Sequence, residues 1–468
     1  LALAAGLALL GALLAEPIVT VITPGWLGDA AKVAAGELPI DRLRLAVQAV
    51  RIVFPLTGVL VLLAWALGVL NSHRRFFLPY FAPVFLNVAF IAALFVGAAL
   101  FLEAPLGVDT LGSLSASTRT SLLFAGLVGG LVGGFLQFGV QLPLVFREMK
   151  GFRFSISTKV VGVREAIRAF GPVVAGRGVA QLSGYIDLFL AAFLAAGAIA
   201  SMRPALMLYL LPVSLFGLSV AASELPELAR MGPEQTSGFG RRLDRSLRQM
   251  LFLTVPTVFG YLAFGFLIVG ALFRTGSFGI NGNWLVYFVL GGYTLGLLAT
   301  TMSRLMQNAF YALGDTKTPA KIAVVRVVVS TAVAVPLMFT LDQIALARLV
   351  DMPPQEQPLF LGAAGLALGA SAGAWVELWR LYATLRRQVA TFRLPWKSLF
   401  KMAGLALLAT GPAAGLWWAL PAWHVALLAV AVVGAYGFVY LATAQLSGME
   451  EAEAWLGQVL VRFRQTEG

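Results

Sequence analysis

Residues 120–144 read TSLLFAGLVGGLVGGFLQFGVQLPL, and residues 145–168 read VFREMKGFRFSISTKVVGVREAIR. The first stretch holds no ionisable side chain. At about 1.5 Å per residue it is long enough to carry a helix across a hydrocarbon layer about 30 Å thick. Gly126, Gly129, Gly130, Gly133 and Gly134 give it the small-residue face by which membrane helices approach one another. The second stretch is basic, with Arg147, Lys150, Arg153, Lys159, Arg164 and Arg168 against Glu148 and Glu165. An apolar run beside a basic connection is the unit of this chain, and its repetition sets the fold.

Working outward, comparable runs lie at roughly 1–22, 45–70, 82–102, 171–199, 205–223, 250–273, 284–312, 322–341, 358–383, 399–420 and 423–446. The expected fold class is all-α, a polytopic membrane protein of about 12 transmembrane helices. Charge in the connections alternates. One set carries Arg74 and Arg75, the 147–168 loop, the Arg241–Arg248 cluster, Lys317 and Lys321, and Arg386, Arg387, Arg393, Lys397 and Lys401. The other set carries Asp29, Glu37, Asp41, Glu103, Asp109, Asp342, Asp351 and Glu356. Basic loops stay in the cytoplasm, which places the 147–168 loop and the C-terminal tail inside. The net charge of +12 is thereby explained as topology, with no nucleic-acid partner required.

Hydrophobic residues make up 59% of the chain and charged residues 12%, about half the charged share of soluble domains. The absence of cysteine rules out disulfides, thiolate metal sites and cysteine nucleophiles. The histidines, His73 and His424, both fall near span ends. No Gly-rich phosphate loop, His–Asp pair or Asp-x-x-Asp cluster lies in or beside a span, so no catalytic residues, metal or cofactor are expected. Leu1–Leu14 has neither a positively charged n-region nor a clear cleavage site, so it reads as part of a helix entered midway and not as a signal peptide.

Two longer basic connections divide the chain. The expected organisation is an N-terminal lobe of four helices (1–146), a lobe of six (147–390), an additional helix pair (391–446) and an amphipathic cytoplasmic tail (447–468). Pro55, Pro83, Pro143, Pro172, Pro212 and Pro256 interrupt spans, either as cavity-lining breaks or as packing kinks. Ala66-Leu67-Gly68 and Ala312-Leu313-Gly314 each precede a basic, proline-containing link, a faint internal echo of the repeats common in transporters.

Ionisable residues inside spans are costly and must face a cavity or a partner. Glu16, Arg51, Arg177, Asp187, Arg304, Arg326 and Glu377 are the ones here. Arginine keeps its proton and forks onto phosphate oxygens, so an Arg-lined chamber suits an anionic, phosphorylated substrate. Arg177 and Asp187, on one helix about 15 Å and 80° apart, cannot pair with each other; Gln181 extends the polar stripe a turn from Arg177. Arg177 and Arg304 are either substrate contacts or structural ion pairs. Asp187 and Glu377 are a proton or cation site, or counter-ions for Arg. Arg51 and Arg326 are near enough to span ends to snorkel, and Glu16, beside Pro17, reads as structural.

Several motifs carry a family resemblance. Leu70–Asn87 (LNSHRRFFLPYFAPVFLN), Leu136–Pro143 (LQFGVQLP), Gly171-Pro172 through Gln181, and Phe310–Pro319 (FYALGDTKTP) resemble the MurJ/MviN lipid II flippases of the multidrug/oligosaccharidyl-lipid/polysaccharide exporter superfamily. The resemblance implies an inner-membrane protein that moves an undecaprenyl-pyrophosphate-linked peptidoglycan precursor by alternating access, in contact with membrane lipids and with cell-wall synthesis proteins as possible partners. It implies that the family's first two helices are absent here, and that the final pair shapes a groove for the lipid tail. Arg304 and Arg51 match basic family positions. Met207 stands where the family has a functional Arg, with Arg203 one turn earlier, and Glu377 stands where many members have Asn. The expected substrate contacts are Arg177, Gln181, Arg203, Arg304 and Arg51, with Asp187 and Glu377 for coupling or as counter-ions. The alternatives are a drug or cation antiporter of the same superfamily, which would want a net acidic cavity, and a non-transporting membrane scaffold, which the loss of Arg at Met207 would suit. A membrane glycosyltransferase ranks last for want of catalytic groups.

Overall fold

The structure, a computed structural model, describes residues 2–75, 77–102, 114–149, 184–195, 197–218, 236–274, 278–350, 358–420 and 423–453. The chain forms two compact units, residues 1–174 and 175–468. Arg177, Gln181, most of the 147–168 loop and the tail beyond 453 lie outside the described residues.

In the first unit the helices are α1 Ala2–Leu13, α2 Ala15–Ile22, α3 Asp29–Ala34, α4 Arg42–Ser72, α5 Phe77–Phe81, α6 Pro83–Phe101 and α7 Ala116–Glu148. The span expected over 1–22 is broken at Leu14. Pro17 has no N–H for the Leu13 carbonyl, and its ring crowds that carbonyl. The glycine face of α7 is real and packs in two directions. A Cβ on Gly133 would stand 2.8 Å from the Leu86 backbone of α6, and Gly134 abuts Leu56 of α4. Gly130 lies off this face, with nothing nearer than 3.8 Å.

The second unit holds α8 (184–191), α9 Ala198–Pro212, α10 Thr236–Phe273, α11 Ile280–Ala312, α12 Lys317–Leu341, α13 Gly362–Gln388, α14 Trp396–Ala419 and α15 Val425–Leu446. Helix α13 packs on α11 and α12, while α14 and α15 pack on each other and on α10. Among the described residues, nine helices are long and apolar enough to cross a membrane. Of the about 12 spans expected, 1–22 is broken and 171–199 falls mostly outside the described residues, while 358–383 is present as the less apolar helix α13. That helix has 27 residues but is rich in Gly, Ala and Ser around Glu377, and much of it is buried against α11 and α12.

The internal echo holds in a different register. Gly68 lies inside α4, which runs on to Ser72. The equivalent of Gly314 is Arg74: both have left-handed φ, 57° at Arg74 and 79° at Gly314. Each is followed by an N–H that reaches back to the helix end, Arg75 to Leu70 at 2.8 Å and Asp315 to Phe310 at 2.9 Å, the Schellman closure. Asp315 then starts α12, its Oδ1 accepting from the backbone N–H of Lys317 (3.1 Å) and Thr318 (2.9 Å). These bonds, those of Thr318 foremost, hold its carboxyl below the usual carboxylate range.

Two prolines have specific remedies. Pro256 cannot donate to the Phe252 carbonyl of α10; Tyr440 of α15 donates its hydroxyl there at 2.9 Å, and Tyr436 donates to the Pro256 carbonyl at 2.8 Å. Pro212 likewise frees the Leu208 carbonyl of α9, and Tyr261 of α10 donates to it at 2.8 Å. Beyond Pro212 the helix widens to a π turn over Val213–Leu218. At these two positions a neighbouring helix satisfies the backbone, so they are packing kinks and not cavity-lining breaks.

Candidate functional site

The site is built around α13, and small residues let its neighbours come close. Gly365, Gly369 and Gly373 repeat every fourth residue toward α12. A Cβ at Gly365 would lie 2.7 Å from the Leu337 carbonyl, at Gly369 2.6 Å from Ala334 Cα, and at Gly373 2.8 Å from the Arg326 carbonyl. On the other side Gly296 of α11 faces Ser371, whose hydroxyl donates to the Gly292 carbonyl at 2.6 Å. Backbones in such contact admit no bulky side chain. The three helices therefore hold their polar residues in fixed register.

That register brings together Glu377, Arg326 and Gln307. Glu377 is 1% exposed. Its Oε2 accepts from Arg326 Nη1 at 2.7 Å and its Oε1 from Gln307 Nε2 at 2.8 Å. Both oxygens of the buried carboxylate are thus met by donors from separate helices. The expectation that Arg326 snorkels is corrected: its guanidinium turns inward to Glu377, because a buried carboxylate is a nearer partner than the interface. Of the alternatives for Glu377, the geometry is that of an Arg counter-ion.

Tyr293, Thr300, Arg304 and Gln307 lie at helical spacing along one face of α11. Tyr209 of α9 donates to Thr300 Oγ1 at 2.7 Å, and its ring centroid is 5.5 Å from that of Tyr293. Its hydroxyl lies within electrostatic reach of Arg304, Arg326 and Glu377. Asp187 of α8 is half-buried and within electrostatic reach of Arg326 and Tyr293, yet has no hydrogen-bond or ion-pair partner among the described residues. Arg304 is exposed and has no carboxylate within ion-pair distance among the described residues. Among the described residues the polar track thus holds a neutralised guanidinium, Arg326, and one without a carboxylate partner, Arg304.

Arg203 is exposed on the face of α9 that also carries Met207, 62% exposed, and Leu210. No contact joins it to Arg304 among the described residues. Arg51, in the first unit, pairs with Glu16 at 3.6 Å, with side chains 52% and 70% exposed. An ion pair that open is worth about 0–1 kcal/mol.

Sequence reasoning missed Gln307 as a partner of Glu377, although Gln307 and Arg326 flank the same turn, 313–316, on the two helices that it joins. It missed Tyr209 as well, because a tyrosine in an apolar helix reads as bulk. It also counted Asp29 merely as a loop charge. Asp29 is fully buried and grips Arg42 through Nε (2.6 Å) and Nη2 (2.8 Å), while that guanidinium lies 5.3 Å over the Trp26 ring. This clasp fastens the 23–41 connection to the start of α4.

Comparison with known proteins agrees with this architecture. Residues 1–350 match the family model described as lipid II flippase MurJ. The chain is 30% identical over 374 residues to the lipid II flippase MurJ of Burkholderia cenocepacia, covering 78% of this chain and 65% of that protein. It is 26% identical over 451 residues to the probable lipid II flippase MurJ of Vibrio cholerae, covering 94% and 78%. The match thus spans 65% of the first relative's length and 62% of that from Rhizobium tropici. The fold resembles that of a solved lipid II flippase MurJ in its inward closed conformation, with a TM-score of 0.68 at 18% identity over 95% of this chain and 81% of that one. A multi-pass helical membrane protein with these matches belongs to the lipid II flippase MurJ family.

Proposed function

We propose that the protein translocates lipid II, the undecaprenyl-pyrophosphate-linked precursor of peptidoglycan, across the bacterial cytoplasmic membrane by alternating access. The observation that carries the reading is the contrast between Arg326, neutralised by Glu377, and Arg304, exposed and without a carboxylate partner among the described residues on the same polar track. An arginine in a membrane keeps its proton and must face a partner or a water-filled cavity, where an anionic substrate can meet it. A pyrophosphate supplies that anion and suits the bidentate fork. Arg304 is thus the principal head-group contact, with Arg177, Gln181, Arg203 and Arg51 as further contacts along the path and Glu377 as the counter-ion of Arg326. The lobes at 1–146 and 147–390, the helix pair at 391–446 and a cytoplasmic tail at 447–468 complete the scheme, with cell-wall synthesis proteins as the partners to seek.

The test is complementation of a strain depleted of its own lipid II flippase by the protein expressed from its native gene. Arg304→Ala should fail to support growth at normal membrane abundance, and Arg304→Lys should rescue poorly, since a point charge lacks the fork. Full growth on the Ala variant would overturn the assignment. Met207, apolar and exposed beside Arg203, favours a second reading, a non-transporting membrane scaffold; failure of the unaltered protein to complement would favour it.

A further inference from the structure

The end of the second unit that carries the basic connection between α13 and α14 also carries an open-sided apolar cleft. It encloses about 320 Å³ between α10, α11, α13 and the start of α14, within the ~300–1,000 Å³ range of small-molecule pockets. Leu298 and Met302 of α11, Trp375 and Leu378 of α13, and Leu394 and Leu399 at the start of α14 line it. Trp375 donates its indole N–H to the Leu295 carbonyl at 2.9 Å, so that wall keeps no donor for a polar head group. Along the rim Trp379, Trp396 and Phe400 stack in a ladder, with successive ring centroids 6.1 Å and 6.2 Å apart. All three rings are exposed, Phe400 at 70%. From Arg380 to Lys401 the chain has Arg380, Arg386, Arg387, Arg393, Lys397 and Lys401 and no acid.

The chain itself holds a segment suited to cover this surface. Just beyond α15, Met449 and Ala452 are buried in the same cluster as Phe392 and Leu394, and Leu394 is also a wall of the cleft. Lys401 of α14 donates to the Ser447 carbonyl at 2.8 Å, which fastens that turn beside Phe400. Glu450, Glu451 and Glu453 follow, opposite in sign to the bases around the cleft. The sequence 455–463, WLGQVLVRF, sets Trp455, Leu456, Val459, Leu460 and Phe463 at the spacing of one helix face. From Trp455 to Phe463 a helix rises about 12 Å, comparable with the two ladder steps together. We propose that this apolar face of the C-terminal tail docks in the cleft and on the aromatic ladder, as a strap across the junction of α13 and α14. The inference holds whatever the protein moves. Exposed aromatics also suit the membrane interface, but the tail's apolar face begins three residues after the buried Ala452. A tether that short gives an effective concentration of about mM, and the acid-to-base match places the tail's start beside the cleft.

The purified protein is placed in nanodiscs of phosphatidylcholine alone, with one thiol introduced as Phe400→Cys into this cysteine-free sequence. Maleimide labelling of that thiol should be slow with the tail intact. It should quicken several-fold in a chain ended after Glu453. The same rise is expected in Leu460→Asp, which keeps the whole tail but sets a charge on its apolar face. A second measurement pairs Lys397→Cys with Arg462→Cys. A short bismaleimide should link the two within one chain, read as a joined peptide pair from the monomer band, and Leu460→Asp should abolish the link. Equal labelling rates with the tail intact, ended or altered overturn the inference. Equal rates that fall when phosphatidylglycerol is added assign the cleft to an anionic lipid, and a link found only between two chains assigns it to a second copy; either result also overturns the strap.

Discussion

Arg74 holds a left-handed φ of 57° at the end of α4, where Gly314 serves the corresponding place after α11. The left-handed region costs an L-residue roughly 1–2 kcal/mol, a cost glycine escapes. Arg74→Gly should therefore raise the melting temperature in detergent, by up to about 1 kcal/mol of stability after glycine's greater unfolded-state entropy is deducted. A lower melting temperature would mean that the guanidinium makes contacts worth more than the strain. At this scale the candidate site was partly legible. Glu377 and Arg304 stood out because charge inside an apolar run is costly. Their fates, one paired and one without a carboxylate partner among the described residues, depend on which helices become neighbours, and spacing along a single helix does not carry that information.

Among the helices, α10 depends on α15 for its backbone bonding. Tyr440→Phe keeps the ring and its packing against Phe252 but strands the Phe252 carbonyl that Pro256 leaves free. An unmet buried acceptor costs about 1–3 kcal/mol, so the variant should melt at a lower temperature while retaining membrane abundance. Combining it with Pro256→Ala, which restores the intrahelical donor, should recover much of the loss. Failure of the double variant to recover would show that the hydroxyl acts by some other route. The helices were legible because each is an apolar run bounded by charge. The exception has a local cause: Pro17 breaks the first run; α13, composed for close contact with its neighbours, carries a weaker apolar signal and was still legible at 358–383. Proline positions told which carbonyls would be freed, but nothing in the sequence says which tyrosine arrives to meet them.

Over the whole molecule, the sidedness of the loops is the property most directly written in the sequence. The absence of cysteine makes it simple to test with one introduced thiol at a time. Ser72→Cys, beside Arg74 and Arg75, should be shielded from an impermeant maleimide in intact cells, and Gln343→Cys, beside Asp342, should react. Both positions are exposed, so reaction of Ser72→Cys from outside would reverse the orientation of the first unit.

Because 188 residues separate Tyr440 from Phe252, the bond between them has a place in time as well as in space. At about 5–20 residues per second, a ribosome reaches Tyr440 roughly 10–40 s after Phe252 has been made. Throughout that interval the kinked helix is already synthesised with its Phe252 carbonyl unanswered, so it must wait beside water or the insertion machinery before it can settle in lipid. Helix α15 then completes the bonding of α10, and a nascent chain stopped short of it would carry an open backbone acceptor that quality-control proteases could reach.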